Sequence, residues 1–260
     1  MLLMTGIAAV GVGLMAFNQP EEPLRVIDND SFTTGEKLHY KVHYGFINAA
    51  ESVIEIDNKT HMVNDRPCYR VNVFGKTIGS FDFFLRIRDT WRSYIDTEAI
   101  VSQRFFRNIE EGKYRKKETV TFDHNRLLAL QEDDKQFKIP KNVQDLVSGF
   151  YYMRTLDYSK MKTGEPIKIT GFFDEETFVF DVTFKGRETI KTKFGELRVL
   201  RLVPKMPKNK LFDGDDAVSV YLSDDQNKIP VKIKAEMFVG AVEIDLTKYQ
   251  GLKHPINFTK

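Results

Sequence analysis

Two histidines four residues apart, His39 and His43, are the first residues whose type and spacing suggest chemistry, because imidazole pairs commonly hold zinc. They sit in a run where Leu38, Tyr40, Val42 and Tyr44 alternate with Lys37, His39, Lys41 and His43, the two-residue period of a half-buried strand. Four strand steps of ~3.3 Å set the two rings ~13 Å apart, whereas zinc holds each ligand at ~2 Å, so the pair cannot share one metal. His61, His124 and His254 have no cysteine or carboxylate partner at ligand spacing and are expected at the surface or in hydrogen bonds. Asp213-Gly-Asp-Asp216 resembles a fragment of a calcium loop but lacks the alternating acids and terminal glutamate, so it reads as an acidic turn. No metal site is expected. The single cysteine, Cys68, lies in the strand-like run Cys68-Tyr-Arg-Val-Asn-Val73; it has no intramolecular disulfide partner and is expected as a packed, inert thiol.

Catalytic signatures are missing. There is no Gly-x-Ser-x-Gly elbow, phosphate loop or dinucleotide fingerprint, and Gly11-Val-Gly13 lies inside an apolar leader. No catalytic residue and no cofactor is assigned. A carboxylate pair assembled from distant strands leaves no local motif, so 37 acidic residues keep a hydrolase of glycan or peptidoglycan as an alternative. The 39 basic residues leave a net charge of only +2, which argues against a nucleic-acid partner, since phosphate neutralisation demands a marked basic excess. Lys113-Tyr-Arg-Lys-Lys117 follows Glu110, Glu111 and Gly112 and reads as a solvated hairpin turn, with a contact patch as its alternative.

Aromatic residues offer the better lead. In Phe81-Asp-Phe-Phe-Leu-Arg-Ile-Arg88, strand alternation would put Phe81, Phe83, Leu85 and Ile87 on one face, and Phe172, Phe173, Phe178, Phe180 and Phe184 form a second cluster. A curved sheet covered by a helix can hold a groove for an apolar guest or an extended partner. The groove candidates are Phe81, Phe83, Phe150, Tyr151, Arg154 and Tyr221; ordinary core packing is the competing reading.

The elements that would position these residues follow from periodicity. Residues 1–17 carry no charge and are followed by Asn18, Gln19, Pro20, Glu21 and Glu22, which reads as an export signal, with an uncleaved anchor as the alternative. Membrane contact is expected through this segment alone. Residues 18–30 read as a polar linker, and 31–260 as a β-rich domain. Strands are expected near 37–46, 49–57, 68–75, 80–95, 100–107, 114–122, 166–173, 177–185, 187–193, 196–204, 216–222, 229–236 and 238–246. Turn signals at Asn64-Asp65-Arg66-Pro67, Asp174-Glu175-Glu176, Lys185-Gly186, Phe194-Gly195 and Ser223–Asn227 separate them. One segment departs from the two-residue period. Val143, Leu146, Val147, Phe150 and Met153 recur at spacings of three and four, predicting a single amphipathic helix within 141–160, with Asn142 as N-cap, Asp145 in the first turn and Arg154 at its far end. The fold class is therefore mainly β: antiparallel curved sheets forming a barrel or sandwich, with one helix between two β-rich lobes, 31–140 and 163–260. Charges on one face of many strands, and the helix, argue against an outer-membrane barrel.

Ordered blocks along the chain carry a family resemblance. Gly35-Glu36-x-Leu38-x-Tyr40-x-Val42-x-Tyr44-Gly45 resembles the opening motif of the exported bacterial family listed as domain of unknown function 3108. Arg88-Asp89 with Tyr94-Ile95-Asp96, then Asp145-Leu146-x-Ser148-x-Phe150-Tyr151-Tyr152-x-Arg154, then Tyr221-Leu222-Ser223-Asp224-Asp225 before Ile229-Pro230-Val231, and Val239-Gly240-Ala241-Val242 resemble its later blocks. The likeness runs from about Thr34 to Gly251, and Tyr221 stands where tryptophan is expected in many relatives. The resemblance implies a signal-bearing, periplasmic or otherwise exported envelope protein of β-rich fold with no established activity. The expected function is non-enzymatic binding of an envelope protein, lipid or glycan in envelope assembly or maintenance; a purely structural interaction module is a further alternative.

Overall fold

The computed structural model describes residues 23–205, 216–237, 240–256 and 258. The expected export signal at 1–17, the start of the linker, Asp213 with its two following residues, and Val239 lie outside the described residues. In chain order the elements are β1 (Lys37–Tyr44), β2 (Ile47–Val63), β3 (Arg66–Thr77), α1 (Gly79–Phe84), β4 (Arg88–Asp96), β5 (Ser102–Glu111), β6 (Tyr114–Asp123), β7 (Leu128–Gln131) and β8 (Gln136–Lys138). These are followed by α2 (Leu146–Arg154), β9 (Pro166–Phe173), β10 (Glu176–Thr192), β11 (Gly195–Pro204), β12 (Val218–Ser223), β13 (Pro230–Glu236) and β14 (Ala241–Gln250).

All fourteen strands belong to one antiparallel sheet ordered β8-β7-β6-β5-β4-β3-β2-β1-β14-β13-β12-β11-β10-β9. Each half is a meander, and the β1–β14 pairing joins the halves. The two sheet edges, β8 and β9, are consecutive in the chain but do not pair, and the segment carrying α2 connects them. Side chains bridge that gap instead of backbone. Phe137 of β8 meets Phe172 of β9 at 5.6 Å, and Trp91 of β4 stacks on Phe173 at 5.7 Å. Lys116 and Lys135 reach the β9–β10 turn at Asp174 (2.7 Å) and Glu175 (2.9 Å). The result is a barrel-like sheet left open along one seam.

Turn chemistry explains the register. Asn64-Asp65 and Asp174-Glu175 each supply two consecutive positive φ angles, which suits the two-residue hairpins that follow the sheet's right-handed twist. Lys185-Gly186 is not a turn: Gly186, at φ +105°, absorbs a register shift within the continuous strand β10, so the expected break between 185 and 187 is a bulge. The short strands β7 and β8 were not foreseen, because runs of four and three residues carry too little alternation to read.

Two helices replace the single one expected. Where the chain was read as a strand over 80–95, Gly79 turns at φ +56° and α1 forms; β4 begins only at Arg88. Phe81 and Phe83 therefore do not share a strand face. The second correction concerns α2. Asn142 has φ +58°, outside the extended geometry an N-cap needs, and Asp145 caps instead: its carboxylate accepts from the Val147 and Ser148 N–H groups (2.7 and 2.8 Å), and the Ser148 hydroxyl accepts from Asp145 N–H. The helix is shorter than expected as a result, and Val143 is buried in the core ahead of it.

The core divides into clusters around α2. Val147 and Tyr151 pack with Phe32, Val71, Ile95 and Phe105 of the first half, while Met153 packs with Ile169, Phe184, Leu200 and Leu222 of the second. β11 is buried on both faces: Leu200 and Leu202 join the Met153 cluster, and Leu197 and Val199 join Leu38, Tyr40 and Leu246. Cys68 is fully buried on β3, and burial pushes its thiol up to about 12. Since only thiolate reacts, folded protein at pH 8 is expected to resist a thiol reagent that labels it fully in denaturant. Rapid labelling of the native state would contradict this placement.

Candidate functional site

An apolar cavity of ≈ 210 Å³ lies between α2 and the second half of the sheet. Leu146, Gly149, Phe150 and Met153 form its helical wall, with Ile169 and Gly171 of β9, Phe178 and Phe180 of β10, and residues of β11–β13 opposite. Two glycines make the space. A methyl group at Gly171 would fall 2.7 Å from the tip of the Phe178 ring, so glycine is what lets that cross-strand ring reach over β9. Gly149 is what keeps the helix wall recessed.

Polar groups gather at one end of this space. Gln144, 2% exposed, docks on β9 through two backbone hydrogen bonds, and its Nε2 donates to Ile100 O at 2.7 Å. Its Oε1 is buried without a hydrogen-bond partner. Next to it, Asp145 accepts hydroxyl protons from Ser93 (2.6 Å) and Ser102 (2.5 Å) as well as the two cap N–H groups. Burial raises its carboxyl above the ordinary range, and those four donors oppose the rise.

The six groove candidates separate. Phe150 lines the cavity. Tyr151 and Arg154 belong to the same helix but are buried in the core, where Arg154 makes a bidentate pair with Glu36 (2.6 and 2.7 Å). Tyr221 packs with the Leu38–Tyr40 cluster rather than in the cavity, while Phe81 and Phe83 lie on α1, with Phe83 exposed. Phe178 and Phe180 of the second aromatic cluster do line it, whereas Phe172 and Phe173 pack in the first-half core. Sequence reading missed Gln144, Gly149 and Gly171, since glycine and glutamine give no periodic signal.

A second, polar cleft lies at the opposite end of the sheet, bordered by Arg66, Glu98, Asp123 and His124. His124 Nε2 lies 2.8 Å from Ser102 O and its Nδ1 has no partner; burial lowers its pKa, so the ring is neutral near pH 7. Two carboxylates there are engaged: Asp123 accepts from Asn125 and Arg126 N–H, and Glu98 from Arg66, while Asp65, exposed at the β2–β3 turn, also borders the cleft. Of the other histidines, His61 bonds to Asp57 at 2.8 Å and His254 to Asp30, while His43 on β1 lies 3.7 Å from Asp245 of β14.

The family model described as protein of unknown function (DUF3108) matches residues 39–247, most of the chain. The chain belongs to the DUF3108 family. A solved structure with a similar fold is the beta-barrel-like protein of domain of unknown function DUF1849 from Brucella abortus, 10% identical, covering 88% of this chain and 99% of that one at a TM-score of 0.54. No curated protein matches. In this DUF3108 chain the sequence blocks far apart along the polymer meet physically. Glu36 from the first block pairs with Arg154 from the third, Tyr40 donates to Pro230 O at 2.9 Å, and Arg154 reaches Asn227 O between the two parts of the fourth. Asp96 of the second block holds the loop 97–101 through Glu98 and Ala99 N–H and pairs with Arg66. These contacts hold α2 in the fold, and of the blocks only the third, through Asp145, Leu146 and Phe150, reaches the cavity wall.

Proposed function

We propose that this chain is a non-enzymatic, exported cell-envelope protein that holds an apolar ligand, such as a segment of an acyl chain, between α2 and β9–β13. The observation that carries this reading is the apolar cavity of ≈ 210 Å³ walled by Leu146, Phe150, Met153, Phe178 and Phe180. An apolar cavity of about 150 Å³ already stays dry and takes up benzene, so this chamber suits a short stretch of hydrocarbon. The charge-free run at residues 1–17 supports export.

The test uses cis-parinaric acid, an acyl probe whose fluorescence rises in an apolar site. A methyl group at Gly149 would sit 3.5 Å from Gln144 and 3.6 Å from Ile169, ordinary contact distances, so Gly149→Leu is expected to fold while its branch fills the chamber. Probe affinity should fall at least about tenfold, which is ~1.4 kcal/mol. Phe150→Ala should weaken binding with a stability loss below the roughly 3–5 kcal/mol of a fully buried phenylalanine, since Phe150 is only partly buried. Equal binding by wild type and Gly149→Leu would end this reading. One observation favours a second, a hydrolase of glycan: neutral His124, whose buried Nδ1 has no partner, borders the polar cleft. Peptidoglycan turnover abolished by His124→Gln, with probe binding unchanged, would select it.

A further inference from the structure

The end of the sheet where β1, β3 and β5 finish exposes aromatic side chains that no part of the fold covers among the described residues. Phe46, at the β1–β2 turn, is 97% exposed; Phe83 and Phe84 on α1 are 87% and 83% exposed, with Leu85 and Tyr114 also exposed. These three connections are neighbours, because β1–β2, β3–α1–β4 and β5–β6 follow one another across the sheet and turn at the same end. Gly112 of the β5–β6 turn donates to Arg86 O at 2.8 Å, which fixes that turn against the exit of α1.

α1 holds its shape without burying anything. Its residues are all at least partly exposed, and polar bonds brace it: Thr77 Oγ1 donates to Asp82 (2.7 Å), Arg88 donates to Asp82 (2.7 and 3.0 Å), and Ile87 N–H donates to Thr77 Oγ1 (2.9 Å). Phe83 and Phe84 meet edge to face at 5.6 Å, outside the protein. Such a patch normally signals a partner surface. Charge says which kind. On these turns and the start of β6, Arg86, Lys113, Arg115 and Lys117 are exposed against two acids, Glu111 and Glu110, the latter 43% exposed at its side chain and paired with Arg115, while Asp82 is committed to Arg88. Arg86, Lys113 and Lys117 make no ion pair among the described residues.

We infer that this rim docks the protein on an anionic lipid surface, with Phe46, Phe83 and Phe84 entering the interface and the four cations lying among the headgroups. Apolar rings flanked by lysine and arginine are the chemistry of interfacial membrane binding. A two-fold self-interface is disfavoured, since it would bring the same four cations of two copies together. The inference stands apart from the cavity reading, although β10 and β11 carry Phe178 and Pro204 of the cavity wall toward this same end.

Co-sedimentation of the full chain with vesicles tests it. Residues 1–17 carry no charge, so any binding through them should not distinguish anionic from neutral lipid. The wild type should pellet with phosphatidylglycerol–phosphatidylcholine vesicles more than with phosphatidylcholine alone, and salt should reduce the difference. Lys113→Glu with Lys117→Glu should weaken anionic-vesicle binding by more than about tenfold, as each lost cation near such a surface is worth roughly fivefold. Phe83→Ser with Phe84→Ser, and separately Phe46→Ser, should each lower binding several-fold with an unchanged melting transition, because these rings bury nothing in the fold. Equal pelleting on both vesicle types, or loss of a concentration-dependent dimer in the same serine variants, would overturn the proposal.

Discussion

Arg154→Ala is expected to lower the free energy of unfolding by roughly 3–5 kcal/mol, the range for breaking a buried ion pair from one side. Arg154 and Glu36 are both fully buried, and their two parallel bonds are joined by bonds from Arg154 to Asn227 O (3.1 and 3.0 Å) and Ser31 O (3.2 Å). Ser31 Oγ returns a bond to Arg154 O at 2.6 Å, and the guanidinium lies 5.2 and 5.0 Å from the Phe32 and Tyr151 ring centroids. Burial acts to strip the guanidinium of its proton, but the Glu36 charge and hydrogen bonds outweigh that and hold its pKa above the ordinary value. Alanine would leave the buried Glu36 carboxylate with only the Tyr151 hydroxyl at 3.4 Å, and the Asn227 and Ser31 carbonyls without their guanidinium partner. One side chain ties the N-terminal segment, β1, α2 and the β12–β13 loop, so unfolding should stay cooperative, with its midpoint moved. Urea denaturation measures the loss, and the Glu36→Gln, Arg154→Met double variant should lose far less than the two single variants summed. A single-variant loss under about 1 kcal/mol would mean that the pair is not the knot described.

Asp145→Ala is expected to cost roughly 2–4 kcal/mol, combining a lost N-cap of about 1 kcal/mol with two buried serine hydroxyls deprived of their acceptor. Its bonds to Ser93 of β4 and Ser102, the first residue of β5, pin α2 to the first half of the sheet, so the cavity wall should loosen with it. Asp145→Asn should cost less, because an amide oxygen can still cap the helix while rotating hydroxyls accept from its NH₂ group. The pH dependence has a definite sign. A carboxyl whose folded-state pKa is raised binds its proton more tightly in the native state, so its contribution falls as pH rises from the ordinary carboxylate value through the raised one. The stability of wild type minus that of Asp145→Asn should therefore decrease with pH across that window. A difference that grows with pH would show that the four hydrogen bonds to the carboxylate outweigh its burial.

Much of the sheet was legible because strand alternation is local: Leu38 and Tyr40 announce buried positions by the two-residue period alone, and Asn64-Asp65 and Asp174-Glu175 announce hairpins through residues that tolerate positive φ. α1 misled the reading because Phe81, Phe83 and Leu85 alternate as a strand would; Gly79 and the Thr77–Asp82–Arg88 bonds, which require β3 and β4 to be side by side, turn the chain there instead. Arg154 was recognisable as a cation at a helix end. That it would be wholly buried was not, since its partner Glu36 lies 118 residues away.

From the sequence by itself came the β class, the hairpin turns of an antiparallel fold, the amphipathic segment that becomes α2 and the family, all of which depend on residue type at short spacing. Tertiary structure decided which edges meet at the open seam, which side of α2 faces an apolar chamber and which aromatic residues stay outside. Those outcomes turn on burial and pairing energies between strands distant in the chain, as when Phe137 meets Phe172 across the seam and Gly171 makes room for Phe178, and no local period records them.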